Sequence, residues 1–253
     1  MKILLTNDDG IYAPGLAAME RALQKLGEVH VVAPAIEQSG VGHSITFLSP
    51  LMAKEVYDGD RRRGWAVEGS PADCVKLAVS EFCKDVDLVV SGINGGLNLG
   101  INVLYSGTVA GATEAAVFGL TSFAVSLEYD EKPQFDKAAA MAVGLIEQIL
   151  AQRDAAAHHL YNINIPTSAL SQPADVRVVP MATVGWSSDF DRRLDPKGRR
   201  YYWATGMPQM PQGDEMTDYE AWQKGFITLT PLRIDRTERE MLPTMREWKL
   251  SLK

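Results

Sequence analysis

Short apolar runs alternate with segments of helical periodicity through the first half of this chain, and few architectures accommodate that order. Lys2 to Thr6 reads as a buried strand, Pro14 to Leu26 as a helix opened by proline at its first position, and Glu28 to Ala33 as a β-branched strand ended by Pro34. Asp87 to Ser91, Ser122 to Ser126 and Tyr161 to Ile165 repeat the strand pattern. Helices are expected from Ser70 onward, over Gly107 to Phe118 and over Phe135 to Arg153. Strands that are apolar throughout, rather than on alternate residues, are buried on both faces, which is the condition of a parallel sheet. The fold class is therefore α/β: a mostly parallel sheet with right-handed crossovers and helices on both faces.

Two stretches depart from this rhythm. The segment around 44–67 carries a turn at Asp58-Gly59-Asp60 and three arginines, which suits a hairpin or extended arm. Beyond about Ser168 the texture becomes short apolar pieces, prolines and the aromatic clusters Tyr201-Tyr202-Trp203 and Tyr219 to Trp222. Residues 1–167 are thus expected to form the core and residues 168–253 an antiparallel extension; its aromatics suit subunit contacts or a pocket that flanks the site, although a buried satellite cluster explains such residues more often.

With 25 basic and 32 acidic residues among 253, the net charge is −7, and neither a nucleic-acid polymer nor an anionic membrane surface is an expected partner. No apolar run reaches the about 18 to 20 residues of a spanning helix, and a cytoplasmic location is expected. Cys74 and Cys83 are expected on opposite faces of one helix, buried as small apolar residues and engaged in neither a disulfide nor a metal pair.

The chemistry gathers at the strand ends. Asp8 and Asp9 stand side by side where the first strand stops, and adjacent carboxylates repel unless a cation or a proton relieves them. Thr6-Asn7-Asp8-Asp9-Gly10 therefore suits a hard, oxygen-ligated divalent ion, Mg²⁺ or Mn²⁺. A solvated turn uses the same residues, and the pair alone does not separate the two. Ser91 to Gly100 holds four glycines in ten residues, including Gly95 beside Asn98, and can offer successive N–H groups to an anion. Its spacing matches neither a dinucleotide fingerprint nor a P-loop. Asn94 can present an amide oxygen toward the acid pair, although a plain structural turn also accounts for such a loop. Ser106, Gly107 and Thr108 open a helix, where free N–H groups, the dipole and two hydroxyls suit a phosphoryl group. The loop Gln38-Ser39-Gly40 brings Ser39 toward the same edge, while His43 alone reads as structural more readily than catalytic.

Together these segments resemble the survival protein E family, the SurE-type metal-dependent nucleotidases. The resemblance runs through Leu4 to Ile11, Ala13-Pro14-Gly15, Ala33-Pro34 with Gln38-Ser39-Gly40, Gly69 to Val75, Ser91 to Asn94 with Asn98 to Gly100, and Tyr105 to Val109 with Glu114. It continues at Ala124-Val125-Ser126, Asp218 to Ala221, Gly225 and Thr230-Pro231-Leu232. It is thinnest between Asp130 and Lys224. The resemblance implies a Rossmann-like core and one divalent metal ion per subunit held by Asp8, Asp9, Ser39 and Asn94. It also implies a 5′-nucleotidase that hydrolyses nucleoside 5′- and 3′-monophosphates and short polyphosphate, and a homodimer or homotetramer with an exchanged C-terminal arm. Asp8 and Asp9 are then the catalytic pair, and Gly95, Asn98, Ser106, Gly107 and Thr108 the phosphate-binding set. The alternative is a non-catalytic nucleotide- or phosphate-binding module, which would not turn over substrate. A response-regulator receiver lacks its acceptor aspartate here, since Asn94 follows the third apolar strand run, and a haloacid-dehalogenase phosphatase lacks its D-x-D spacing.

Overall fold

Leu4 faces one side of the first strand and Ile3 and Leu5 the other, and all three are sealed from solvent. The computed structural model describes residues 1–152, 160–173, 175–184, 189–205 and 215–251, and this two-sided burial recurs across its sheet centre. The chain runs β1 (Lys2–Thr6), α1 (Pro14–Leu23), β2 (Glu28–Pro34), β3 (Ala53–Asp58), β4 (Arg61–Val67), α2 (Pro71–Leu77), β5 (Leu88–Gly95) and α3 (Gly107–Val117). Next come β6 (Thr121–Leu127), α4 (Phe135–Leu150), β7 (Leu160–Ile165), β8 (Val176–Val178), β9 (Phe190–Leu194) and β10 (Arg200–Ala204). It closes with α5 (Asp218–Gln223), β11 (Ile227–Pro231) and α6 (Met241–Arg246).

Among the described residues, nine strands form one sheet in the order β3-β4-β2-β1-β5-β6-β7-β11-β8. From β4 to β7 every pairing is parallel. β3 meets β4 antiparallel, β11 meets β7 antiparallel, and β8 runs parallel to β11. Ile3, Leu5, Val31, Val90, Phe123 and Val125 pack with α1 and α4 on one face, through residues such as Met19 and Ile146. Leu4, Val32 and Val89 pack with Cys74 and Val75 of α2 and Ala115 of α3 on the other. Successive crossovers leave β1 in opposite directions, toward β2 on one side and β5 on the other. The β1/β5 border is therefore the switch point, where a doubly wound sheet opens its ligand crevice.

Several expectations change here. Of the two readings of the 44–67 segment the hairpin is the one formed, over residues 53–67, and β4 joins the main sheet beside β2. Cys74 and Cys83 do not take opposite faces: a π-helical turn, Ala78–Phe82, follows α2 and resets the phase, so both free, buried cysteines share one core cluster. Sheet formation continues past residue 167, since β8 and β11 belong to the main sheet and only β9 and β10 stand apart as an exposed antiparallel ribbon. The expected helix end at Arg153 lies outside the described residues. Among the described residues no helix is long and apolar enough to cross a membrane.

Candidate active site

Asn7 shapes the turn that carries the acid pair. Fully buried, it donates from Nδ2 to the Gly10 carbonyl at 3.0 Å and accepts the Gly10 N–H at Oδ1 at 3.2 Å. That closed ring fixes Asp8 and Asp9 just beyond β1. Asp8 is 4% exposed, and its Oδ2 accepts the Thr108 N–H at 3.0 Å while its Oδ1 accepts the Thr108 hydroxyl. The start of α3 thus points its positive dipole end at a carboxylate. Gly107 permits this approach, because a Cβ there would stand 2.8 Å from the Asp8 Cβ and 3.2 Å from the Gln38 carbonyl. Gln38 in turn donates its N–H to the Asp8 carbonyl at 2.7 Å, tying the loop after β2 to the same turn.

Burial raises the pKa of both acids. For Asp8 the two Thr108 hydrogen bonds oppose that rise; Asp9 is pushed up to about 6, first by burial and then by the charge of Asp8. Glu37 adds a smaller like-charge push on each. Such a pair is a site short of positive charge, and its donors are all oxygen, which is the chemistry a hard divalent cation satisfies. Among the described residues no group of three or more His, Cys, Asp or Glu side chains converges as a metal site, so a cation here needs neutral oxygens to complete its shell.

On the opposite bank, β5 runs further than its apolar residues suggest. It continues through Asn94 and Gly95 after a register shift between Ser91 and Asn94, where Gly92 has φ 137° and a Cβ would lie 2.3 Å from the Val125 carbonyl. Gly95 then directs its N–H to Asp9 Oδ2 at 3.4 Å, a long contact open to exchange for a ligand oxygen. Asn94 Nδ2 donates to the Gly96 carbonyl at 2.6 Å, which fixes its amide plane.

The other expected site residues are held by the scaffold in different ways. Ser39 is exposed and donates to Glu37 Oε1 at 2.6 Å, one residue beyond the Gln38 tether. Ser106 is the N-cap of α3, its Oγ accepting the Val109 N–H at 3.0 Å, and Thr108 is engaged with Asp8. Asn98 is drawn into the scaffold: its N–H donates to Asn164 Oδ1 at 2.8 Å, its carbonyl accepts Asn162 Nδ2 at 2.8 Å, and its Nδ2 donates to Ser126 at 2.8 Å. Gly100 is held likewise by Asp218, whose Oδ2 accepts its N–H at 2.8 Å and whose Oδ1 accepts Ala182 N–H at 2.9 Å. His43 pairs with Glu114 at 2.7 Å, and Lys76 reaches the same carboxylate at 3.2 Å.

Glu37 and the Asn162–Asn164 pair escaped sequence reasoning, as did the scaffolding roles of Asn7 and Asp218, which stand within motifs that carry the resemblance. Asn7 three residues before a glycine carries a local turn signal, and Glu37 shares the Ser39 loop. The pairing of Asp218 with Gly100 carries no local signal, the two being 118 residues apart.

The family model described as survival protein SurE matches residues 3–188. The chain belongs to the SurE family. A relative named 5′-nucleotidase SurE from Rhodopirellula baltica is 52% identical over 253 residues, covering 99% of each chain. Another of the same name, from Desulforudis audaxviator, is 43% identical over 258 residues, covering 100% of this chain and 99% of that one. The crystal structure of the SurE protein from Aquifex aeolicus superposes with a TM-score of 0.83 at 35% identity, covering 97% of this chain and 98% of that one. The SurE matches thus span the acid turn, the glycine loop and the α3 start in one alignment.

Proposed function

We propose that this SurE protein is a divalent-metal-dependent 5′-nucleotidase that hydrolyses nucleoside 5′- and 3′-monophosphates to nucleoside and phosphate, and also accepts short polyphosphate. The observation that carries this reading is the like-charged pair of buried Asp8 and half-buried Asp9 at the β1/β5 switch point, with Asp8 held by the N-terminus of a helix. The names of the relatives add the substrate class.

In this reading Asp8, Asp9, Ser39 and Asn94 hold one Mg²⁺ or Mn²⁺ ion, a set of carboxylate, hydroxyl and amide oxygens that fits a hard cation. When bound, the ion supplies Lewis acidity and neutralises the carboxylate pair. The chain's own groups do the rest. Thr108 locks the Asp8 carboxylate in one orientation through two hydrogen bonds. Asp9, the less buried acid, orients the attacking water. Gly95 N–H and the α3 start, with Ser106 and Gly107, offer donors to the phosphoryl oxygens as charge builds on them. Asn98 holds the glycine loop in register. A homodimer or homotetramer and a cytoplasmic site of action complete the reading. Two free, buried cysteines suit a reducing compartment.

The test is steady-state phosphate release from a panel of 5′- and 3′-mononucleotides with Mg²⁺, Mn²⁺ or chelator. Turnover that requires the metal is expected, whereas nucleotide binding without turnover would favour the non-catalytic module.

A further inference from the structure

In the proposed function the groups around Asp8 and Asp9 serve the metal and the phosphate, so a preference for nucleotides requires a second wall. Two clefts lie on either side of the loops that carry these groups, one reaching Ser106 and the other the glycine loop at Leu97. One, of about 660 Å³, follows the flank of α3 from Ser106 to Val117 beneath Leu232 and Arg233 and is largely aliphatic. The other, of about 400 Å³, begins at Leu97 and lies beyond the carboxyl end of β6. Its size falls in the range of small-molecule sites.

The second cleft is built for a flat ring. Leu97, Leu99 and Ala182 supply apolar surface, while Tyr129, 72% exposed, and Trp222 bring two aromatic side chains to it. Trp222 is braced by Tyr219 in an edge-on contact, 5.3 Å between centroids at 64°. Glu128 also lines the cleft, its Oε2 fixed by the Thr167 N–H at 2.7 Å and the Thr167 hydroxyl at 2.8 Å. The cleft and the site share the glycine loop as a common border, Leu97 lining the one and Gly95 meeting Asp9 in the other. Leu97 is two residues beyond Gly95, a span of at most about 7 Å, and Gly95 N–H meets Asp9 at 3.4 Å. A ribose bridges that interval between phosphate and base.

We propose that this cleft is the nucleobase subsite of the enzyme. The base stacks against Tyr129 and Trp222, and Glu128 accepts from an exocyclic amino or ring N–H on its edge. The inference rests on the nucleotidase reading and adds to it the residues that recognise the base. Aromatic faces accept any base, and the carboxylate favours bases that carry a donor edge.

The experiment compares kcat/KM for adenosine and guanosine 5′-monophosphates with kcat/KM for ribose 5-phosphate, which offers the same phosphate without a base. In the wild type the nucleotides are preferred. Tyr129→Ala and Trp222→Ala each lower the nucleotide-to-ribose-phosphate ratio about tenfold, mainly through KM, the size of one lost stacking contact. Trp222→Phe keeps an aromatic face and restores most of the ratio. An unchanged ratio in both alanine variants would overturn the proposal and send the base to the larger cleft. Equal losses on both substrates without rescue by Trp222→Phe would overturn it as well, marking the aromatics as structural. If the wild type releases phosphate from neither substrate, the nucleotidase reading itself falls and takes this inference with it.

Discussion

Asp8 is held by Thr108 and faces Asp9, so substitutions around it separate metal binding from scaffolding. Asp8→Asn removes one of the two charges a cation requires, and metal-dependent phosphate release is expected to vanish while the fold persists; near-normal kcat with a normal metal requirement would contradict the assignment. Ser106 and Thr108 begin the same helix yet do different things. Ser106→Ala deletes an N-cap, at a cost of about 1 kcal/mol of stability. Thr108→Val deletes a hydrogen bond to a carboxylate, worth about 1.5 to 3 kcal/mol. Its expected signature is a higher metal concentration for half-maximal rate, because Asp8 loses its fixed orientation. Metal titrations beside thermal melts distinguish the two, and unaltered metal dependence in Thr108→Val would detach Thr108 from the metal site.

At the level of the element, α3 links the site to the second layer of the protein. Its N-terminus clamps Asp8, and further along Glu114 is buried between His43 and Lys76. The hydrogen bond with His43, more than that with Lys76, lowers the Glu114 pKa against the effect of burial. The folded protein therefore binds this proton more weakly than the unfolded chain does, so stability is present above the ordinary carboxylate value of 4.5 and is lost as pH falls through the lowered folded value. Glu114→Gln is expected to cost about 1 to 3 kcal/mol near pH 7. The penalty should shrink in acid, where the wild-type carboxylate is itself protonated; denaturant unfolding at pH 7 and below pH 4 measures both limits, and a pH-independent penalty would refute the linkage. The same elements show what a linear sequence can reveal. β1, β2 and β6 were legible because both of their faces are buried in apolar residues. The end of β5 was not, since Gly92, Asn94 and Gly95 read as a loop and only the pairing with β6 makes them strand. β11 was hidden because Thr228 and Thr230 are buried polar residues that imitate a solvent-facing pattern. Asp8 and Asp9 are adjacent and so could be found locally, whereas the anchoring of Gly100 by Asp218 is created by folding alone.

For the whole molecule, the unsettled surface is the C-terminal tail. None of the residues of α6 is buried, and Ile234, Met241, Met245, Trp248 and Leu250 are all exposed. Five large apolar side chains exposed within one short segment suit an interaction surface. The larger cleft on α3 is lined by Leu232, Arg233 and Ile234, the residues from which the tail departs. The tail is therefore expected to join subunits, and the place to cut it follows from the sheet. Ending the chain after Ile165 would strip β11 from β7, exposing a strand that is buried along its whole length. Ending it after Ile234 leaves all nine strands of the main sheet and removes α6. Light scattering is then expected to show the full chain as a dimer or tetramer and the shortened chain as a smaller species with its thermal transition retained. A full-length monomer at micromolar concentration, or a shortened chain of undiminished oligomeric state, would remove the tail from the interface and leave the metal-site argument untouched.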